Sequence, residues 1–316
     1  MPRRSGISET GGLVADLSVD LGFLKLKNPV VPASGTFGYG EEFAEFFDLD
    51  ALGAFVLKGV YREPRPGNPP PRIHETAAGL LNSIGLAGPG CVGLGEVLRR
   101  VAAGTRTPMI VNVCGGSDDE YLYVAEYFDA MPEASVLELN ISCPNVRSGG
   151  KCPAQDPRHT ERLVARVRRA VKTPLMVKLS PNVADIAEIA RAAESAGADA
   201  LSLVNTFLGM AVDLERRVPV FANIVAGLSG PAIKPLALRL VWEAAGAVAI
   251  PVMGIGGIHN GRDALEFILA GAHAVQTGTV NLVEPGASLR IIREMETEMD
   301  RLGISRLEEI RGELHS

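Results

Sequence analysis

Three segments of the chain open alike: TPMIVNV (107–113), TPLMVKL (173–179) and IPVMGIG (250–256). Each sets a proline before a near-continuous apolar run. Proline can begin a strand but cannot sit inside its hydrogen-bond ladder, and an unbroken apolar run suits a strand buried on both faces. Three helix exits also repeat: AGADA (196–200), AGAVA (245–249) and AGAHA (270–274). There glycine supplies the C-terminal turn and a new strand starts just beyond it. Between these signals the pattern turns helical, at about 184–196, 234–245 and 261–270. A further helix begins at Ser117, with Glu120 at capping-box spacing.

Filling the gaps predicts strands near 30–34, 54–59, 109–114, 136–142, 175–180, 200–205, 252–256 and 274–278. Short apolar strands alternating with helices imply an α/β protein with a parallel sheet, and eight units imply a closed (β/α)8 TIM barrel. The N-terminal LSVDLGFLKLKNP reads as a β-hairpin that closes the bottom of the barrel. A doubly wound open sheet is the competing architecture. It would carry a glycine-rich fingerprint after its first strand, and this chain has none there. The reading is therefore a flexible tail over 1–12 and one barrel domain over 13–316, with long loops over the mouth at 60–90, 143–157 and 207–233.

Composition narrows the class. A chain of 316 residues with 47% hydrophobic and 22% charged residues can fill one large core. The net charge of −6 argues against a nucleic-acid binder, which usually carries a basic face. No apolar run approaches the roughly 18 residues of a membrane span, and Met1 to Gly12 shows Arg3 and Arg4 without the apolar stretch of a signal peptide. Cys91, Cys114, Cys143 and Cys152 form no CxxC pair, so reduced thiols and a cytoplasmic location are expected. No His or second Cys stands at ligand spacing from Cys143, so no metal site is expected in this chain.

The active site of such a barrel lies at the C-terminal ends of its strands. Those ends carry Ser34, Lys58, Asn112, Asn140 with Cys143, Lys178, Asn205 with Thr206, Gly256 with Gly257, and Gly278 with Thr279. Any one of these has a turn or cap as its plain explanation; all eight strands ending in a mostly uncharged polar ring is harder to explain that way. Glycine-rich turns after strands 7 and 8 make the usual phosphate site of the fold. Lys178 ends a buried strand, so its charge needs a partner or a task. It either snorkels to the rim or stands beside a flavin N1 and O2, where it would stabilise the anionic reduced ring, and Lys58 raises the same question. Cys143 can be packing, nucleophile or base, and its place before Pro144, Asn145 and the Gly149–Gly150 loop favours chemistry.

Taken together, PASGTFG (32–38), LKG (57–59), LLNSIGLAGPG (80–90), ELNISCPN (138–145), VKLSPN (177–182), VNTFLGM (204–210), GLSGPAIKP (227–235), MGIGGI (253–258) and TGT (277–279) resemble the class 1 dihydroorotate dehydrogenases, FMN-dependent barrels of pyrimidine biosynthesis. The resemblance runs from about Leu17 to the final helix. Cysteine as base and no N-terminal amphipathic helix resemble the soluble class. GLSGPAIKP and TFLGM resemble the NAD-linked 1B subclass more than the fumarate-using 1A subclass.

The resemblance implies Cys143 as the base for the C5 proton of dihydroorotate while the C6 hydride passes to FMN. It implies FMN contacts at Ser34, Lys58, Gly59, Asn112, Asn140, Lys178, Val204, Gly230, Gly256, Gly257, Gly278 and Thr279. Substrate contacts follow at Lys58, Asn82, Ser83, Ile84, Gly85, Leu86, Asn140, Asn145, Asn205 and Thr206. It further implies an iron–sulfur and FAD partner subunit, with a homodimer of this chain inside a heterotetramer. VNVCGG (111–116) departs from the expected pattern at Cys114, read as packing. Two other classes compete: a tRNA dihydrouridine synthase, disfavoured by the acidic charge and the lack of an RNA-binding extension, and a non-catalytic phosphate-ligand barrel, which would need no ring of amides around a thiol.

Overall fold

A computed structural model describes residues 15–142 and 152–315. The 1–12 tail, Cys143 and Asn145 lie outside the described residues. Eight parallel strands form the central sheet: β1 (Val30–Pro32), β2 (Phe55–Val56), β3 (Met109–Val113), β4 (Ala134–Asn140), β5 (Leu175–Lys178), β6 (Ala200–Leu203), β7 (Val252–Ile255) and β8 (Ala274–Thr277). Their spatial order is β1-β8-β7-β6-β5-β4-β3-β2. The two end strands meet, because the Gly53 amide just before β2 donates to the Val30 carbonyl of β1 at 3.3 Å. That contact makes the sheet a near-closed barrel and excludes the open doubly wound alternative.

Each strand lies within its predicted window or within two residues of it, and the apolar runs are buried as their composition demands. The helices α1 (Glu41–Ala44), α2 (Gly90–Ala102), α3 (Asp118–Asp129), α4 (Pro157–Ala170), α5 (Ile186–Ser195), α6 (Lys234–Ala245), α7 (Gly261–Leu269) and α8 (Ala287–Leu302) alternate with them. Ser117 caps α3 by accepting from the Glu120 amide at 3.2 Å. The reciprocal half of the capping box is displaced by one residue: the Glu120 carboxylate accepts from the Gly116 amide at 2.7 Å. The hairpin forms as expected, Val19–Asp20 against Lys25–Leu26. It immediately precedes β1, so it sits at the N-terminal end of the barrel, and its Leu17, Val19, Leu21 and Leu26 join the main core.

Four strands that the pattern does not predict stand over the opposite end. Phe207–Met210, Val225–Ser229, Gly79–Asn82 and Ile73–Thr76 form one antiparallel sheet in that order. The loops after β2 and β6 are thus not separate excursions but two halves of a single roof, with Asn82 opposite Gly227 and Leu81 opposite Leu228. The approach is close: a Cβ on Gly79 would lie 2.2 Å from the Ser229 carbonyl oxygen, so only glycine fits.

Candidate active site

Side chains alternate across a strand. In β4 this sends Leu137 and Leu139 to one face and Glu138 and Asn140 to the other, inside the barrel. Glu138 is fully buried. A buried carboxylate is tolerable only when paired and hydrogen-bonded. Here Ser202 donates to it at 2.8 Å, Gln276 at 2.9 Å, and the Asn112 amide also donates to it. The ammonium of Lys178, almost as deeply buried, lies 3.7 Å away. Lys178 therefore does not snorkel to the rim. It ends β5 inside the barrel, neutralised by Glu138 and facing the cavity above.

Above this layer the amides link laterally. Asn140 donates to Asn112 Oδ1 at 3.1 Å, and Ser142 donates to Asn140 Oδ1 at 2.8 Å. Asn205 donates to Ser142 Oγ at 2.8 Å, while its own Oδ1 accepts from the Thr206 amide at 2.8 Å. These four polar side chains come from strand ends or from residues just past them, which is why strand register fixes their spacing.

The layer forms the floor of a cavity of about 970 Å³, bounded above by the roof sheet. That volume is at the upper end for a ligand pocket, enough for a cofactor and a small substrate together. All residues expected at the site and described in the structure line it, from Ser34 and Lys58 through the run Asn82 to Leu86 to Gly278 and Thr279. Lys58 makes no salt bridge within the described residues. Burial, with the neighbouring charge of Arg72 adding to it, lowers its pKa from the ordinary lysine value of 10.5, and Glu42 pulls weakly the other way.

At one end of the cavity the chain is reduced to backbone. Gly256 and Gly257 take φ values of 131° and 75°, which L side chains rarely adopt. A Cβ on Gly278 would meet nothing within 4 Å, so that backbone faces open space. Thr279 donates to Ser229 at 2.8 Å and thereby ties this end to the roof.

Sequence reasoning missed several lining residues, among them Arg65, Asn68, Asn223 and Ser229. They belong to the roof or to loops entering it, where no strand had been foreseen. Glu138 was missed as well, although a charge in the middle of an apolar strand, two residues before Asn140, was the available signal. Cys114 is fully buried against Tyr61 and Leu86, as expected of packing, yet its sulfur also reaches the cavity wall 3.4 Å from Asn112 Oδ1. Cys152 lines the wall too, donating to the Ile141 carbonyl at 2.7 Å. Among the described residues no group of three or more His, Cys, Asp and Glu side chains could hold a metal ion. No described helix is long and apolar enough to cross a membrane.

The family model for dihydroorotate dehydrogenase matches residues 16–299. The chain belongs to the dihydroorotate dehydrogenase family. Among its relatives, the "Dihydroorotate dehydrogenase B (NAD(+)), catalytic subunit" of Trichlorobacter lovleyi is 54% identical over 94% of this chain and 98% of its own length. The protein of the same name from Geobacter sulfurreducens is 53% identical over 95% of this chain and 98% of its own. A crystal structure of the dihydroorotate dehydrogenase of Eimeria tenella in complex with ferulenol superposes with a TM-score of 0.80, covering 95% of this chain and 89% of that one. At 22% identity that likeness speaks for the barrel fold of the family alone.

Proposed function

We propose that this chain oxidises dihydroorotate to orotate in pyrimidine biosynthesis, as the catalytic subunit of an NAD-linked enzyme of subclass 1B. The observation that carries the reading is the amide-lined cavity above a buried Lys178–Glu138 pair, in a chain whose curated relatives bear that name. A pyrimidine ring offers alternating donors and acceptors, and asparagine amides match both without adding charge. Its carboxylate calls for a cation, and Lys58 is the lysine at the wall with no salt-bridge partner in the described residues.

The cavity suits FMN by three features: its volume, the bare backbone at Gly256, Gly257 and Gly278 for a phosphate, and a buried lysine at the floor. When bound, FMN supplies the acceptor for the hydride leaving C6. The chain's own residues do the rest. Cys143, outside the described residues, takes the C5 proton. Asn82 to Leu86, Asn140, Asn145, Asn205 and Thr206 hold the ring. Ser34, Gly59, Asn112, Val204, Gly230 and Thr279 would complete the cofactor's surroundings, and Lys178 would stabilise the negative charge of the reduced ring. A partner carrying FAD and an iron–sulfur centre would pass the electrons on to NAD, in a heterotetramer built on a homodimer. The barrel from 13 to 316 forms the catalytic unit, in the cytoplasm.

The test is anaerobic mixing of the purified chain with dihydroorotate. Bleaching of a bound flavin is expected, with little NADH formed until an iron–sulfur/FAD subunit is added. Cys143→Ser should keep the flavin and slow bleaching by roughly 10²–10⁴-fold. Absence of flavin in folded protein would defeat the reading. Equal bleaching rates would move the base elsewhere, and rapid turnover with fumarate would favour the 1A subclass.

A further inference from the structure

Glu138 is not among the residues that line the cavity, yet it lies at the root of the amide chain above. An ionised carboxylate can only accept hydrogen bonds. The Asn112 side chain that meets Glu138 must therefore turn its NH2 group downward, which leaves Oδ1 facing Asn140. Asn140 must answer with its NH2, at 3.1 Å, so its Oδ1 faces Ser142 at 2.8 Å. Asn140 Oδ1 is also a second, longer acceptor for the Asn205 NH2 group, at 3.5 Å, beside Ser142 Oγ at 2.8 Å. The two ends of an asparagine side chain have nearly the same shape, so sterics alone leave each free to turn over. One acceptor-only group at the base removes that freedom from the whole series.

We infer that Glu138 is a positioning residue that sets the donor and acceptor polarity of the substrate-binding amides through Asn112. One N–H of Asn140 is committed to Asn112, and the other is the donor the amide can offer a ring carbonyl. With the series inverted, the same position would present an oxygen to that carbonyl, acceptor against acceptor. The inference rests on the reading of the cavity as an orotate site. Glu138→Gln keeps the volume but replaces acceptor-only chemistry with a group that can also donate, whereas Glu138→Asp keeps the chemistry and shortens the reach.

The experiment measures orotate affinity from the perturbation of the bound flavin's absorbance, in protein whose flavin content and far-UV circular dichroism match wild type. Glu138→Gln is expected to weaken orotate about 10- to 100-fold, and Glu138→Asp to recover most of that loss. In the Asn112→Leu background Glu138→Gln should add less than about twofold, because the route it acts through is gone. Independent, multiplicative losses would overturn the inference, as would Glu138→Gln binding orotate like wild type. If Glu138→Gln does not fold, neutron diffraction on deuterium-exchanged wild-type crystals decides the matter. Deuterons on the Asn112 nitrogen facing Glu138, and on the Asn140 nitrogen facing Asn112, are expected, and the reverse orientation refutes it. Failure of wild type itself to bind orotate would instead bring down the functional reading.

Discussion

At the scale of single residues the site balances two ionisations with opposite demands. In the proposed function the base Cys143 would have to lose its proton, and a cysteine does so near an ordinary value of about 8.5. In its proposed role Lys58 would have to keep its proton to hold a carboxylate, and burial brings its deprotonation below 10.5. A lysine with a depressed value is charged below that value and loses its attraction for an anion as pH rises through it. The rate of flavin reduction at low dihydroorotate should therefore climb with pH as the thiol ionises, then fall before the pH at which an ordinary lysine titrates. Orotate affinity isolates the second limb, because it needs no base. It should stay level to alkaline pH and then drop, and Lys58→Arg, always charged, should flatten the drop even if binding is weaker throughout. A falling limb unchanged in Lys58→Arg would assign it to another group.

At the scale of elements, what holds the bare glycine end of the cavity is a junction between α6 and α7. Asp263, buried in the first turn of α7, accepts from the His259 amide at 2.9 Å and the Asn260 amide at 3.3 Å, and pairs with Lys234. Lys234 opens α6 and also pairs with Glu266 at 2.7 Å. The fit is tight, since a Cβ on Gly257 would lie 2.7 Å from the Lys234 backbone nitrogen. Asp263→Ala removes a capping acceptor and leaves Lys234 with one partner. It should cost about 1–2 kcal/mol of stability and speed release of the proposed FMN, read from thermal melts and from flavin fluorescence after dilution. Unchanged release with lowered stability would separate the junction from the cofactor end.

Strands β3, β5 and β7 were legible because burial on both faces leaves a local mark, a proline and then an apolar run, and the repeated AGADA, AGAVA and AGAHA helix exits and the remaining apolar gaps located the other strands. The ring of Asn112, Asn140, Lys178 and Asn205 was legible once those strand ends were placed. The roof was not. Ile73–Thr76 reads IHET and Phe207–Met210 reads FLGM, and neither shows a clean alternation, since these strands take their definition from partners far along the chain. Glu138 was hidden because a charged residue inside a strand is ordinarily evidence against burial, and only the partners gathered by β3, β5, β6 and β8 reverse that expectation.

For the whole molecule, the roof has a consequence in time. Barrel neighbours such as β3 and β4 are joined by a single helical crossover, whereas the Asn82–Gly227 contact joins positions 145 residues apart. Bringing distant segments together costs loop-closure entropy unless intervening structure has already shortened the path. Strands β3 to β6 are that intervening structure, so the roof should form only after they have assembled. In pulse-labelled hydrogen exchange during refolding, amides of 79–82 and 225–229 should become protected later than those of 109–113 and 175–178; simultaneous protection would argue for a roof that forms on its own. A chain still emerging from the ribosome, with residues beyond Ser195 unmade, would thus have half a barrel and the earlier two roof strands with nothing to cover them. The enclosed cavity is among the last features of the protein to come into being, so a folding intermediate can hold most of the barrel's structure before it can hold a ligand.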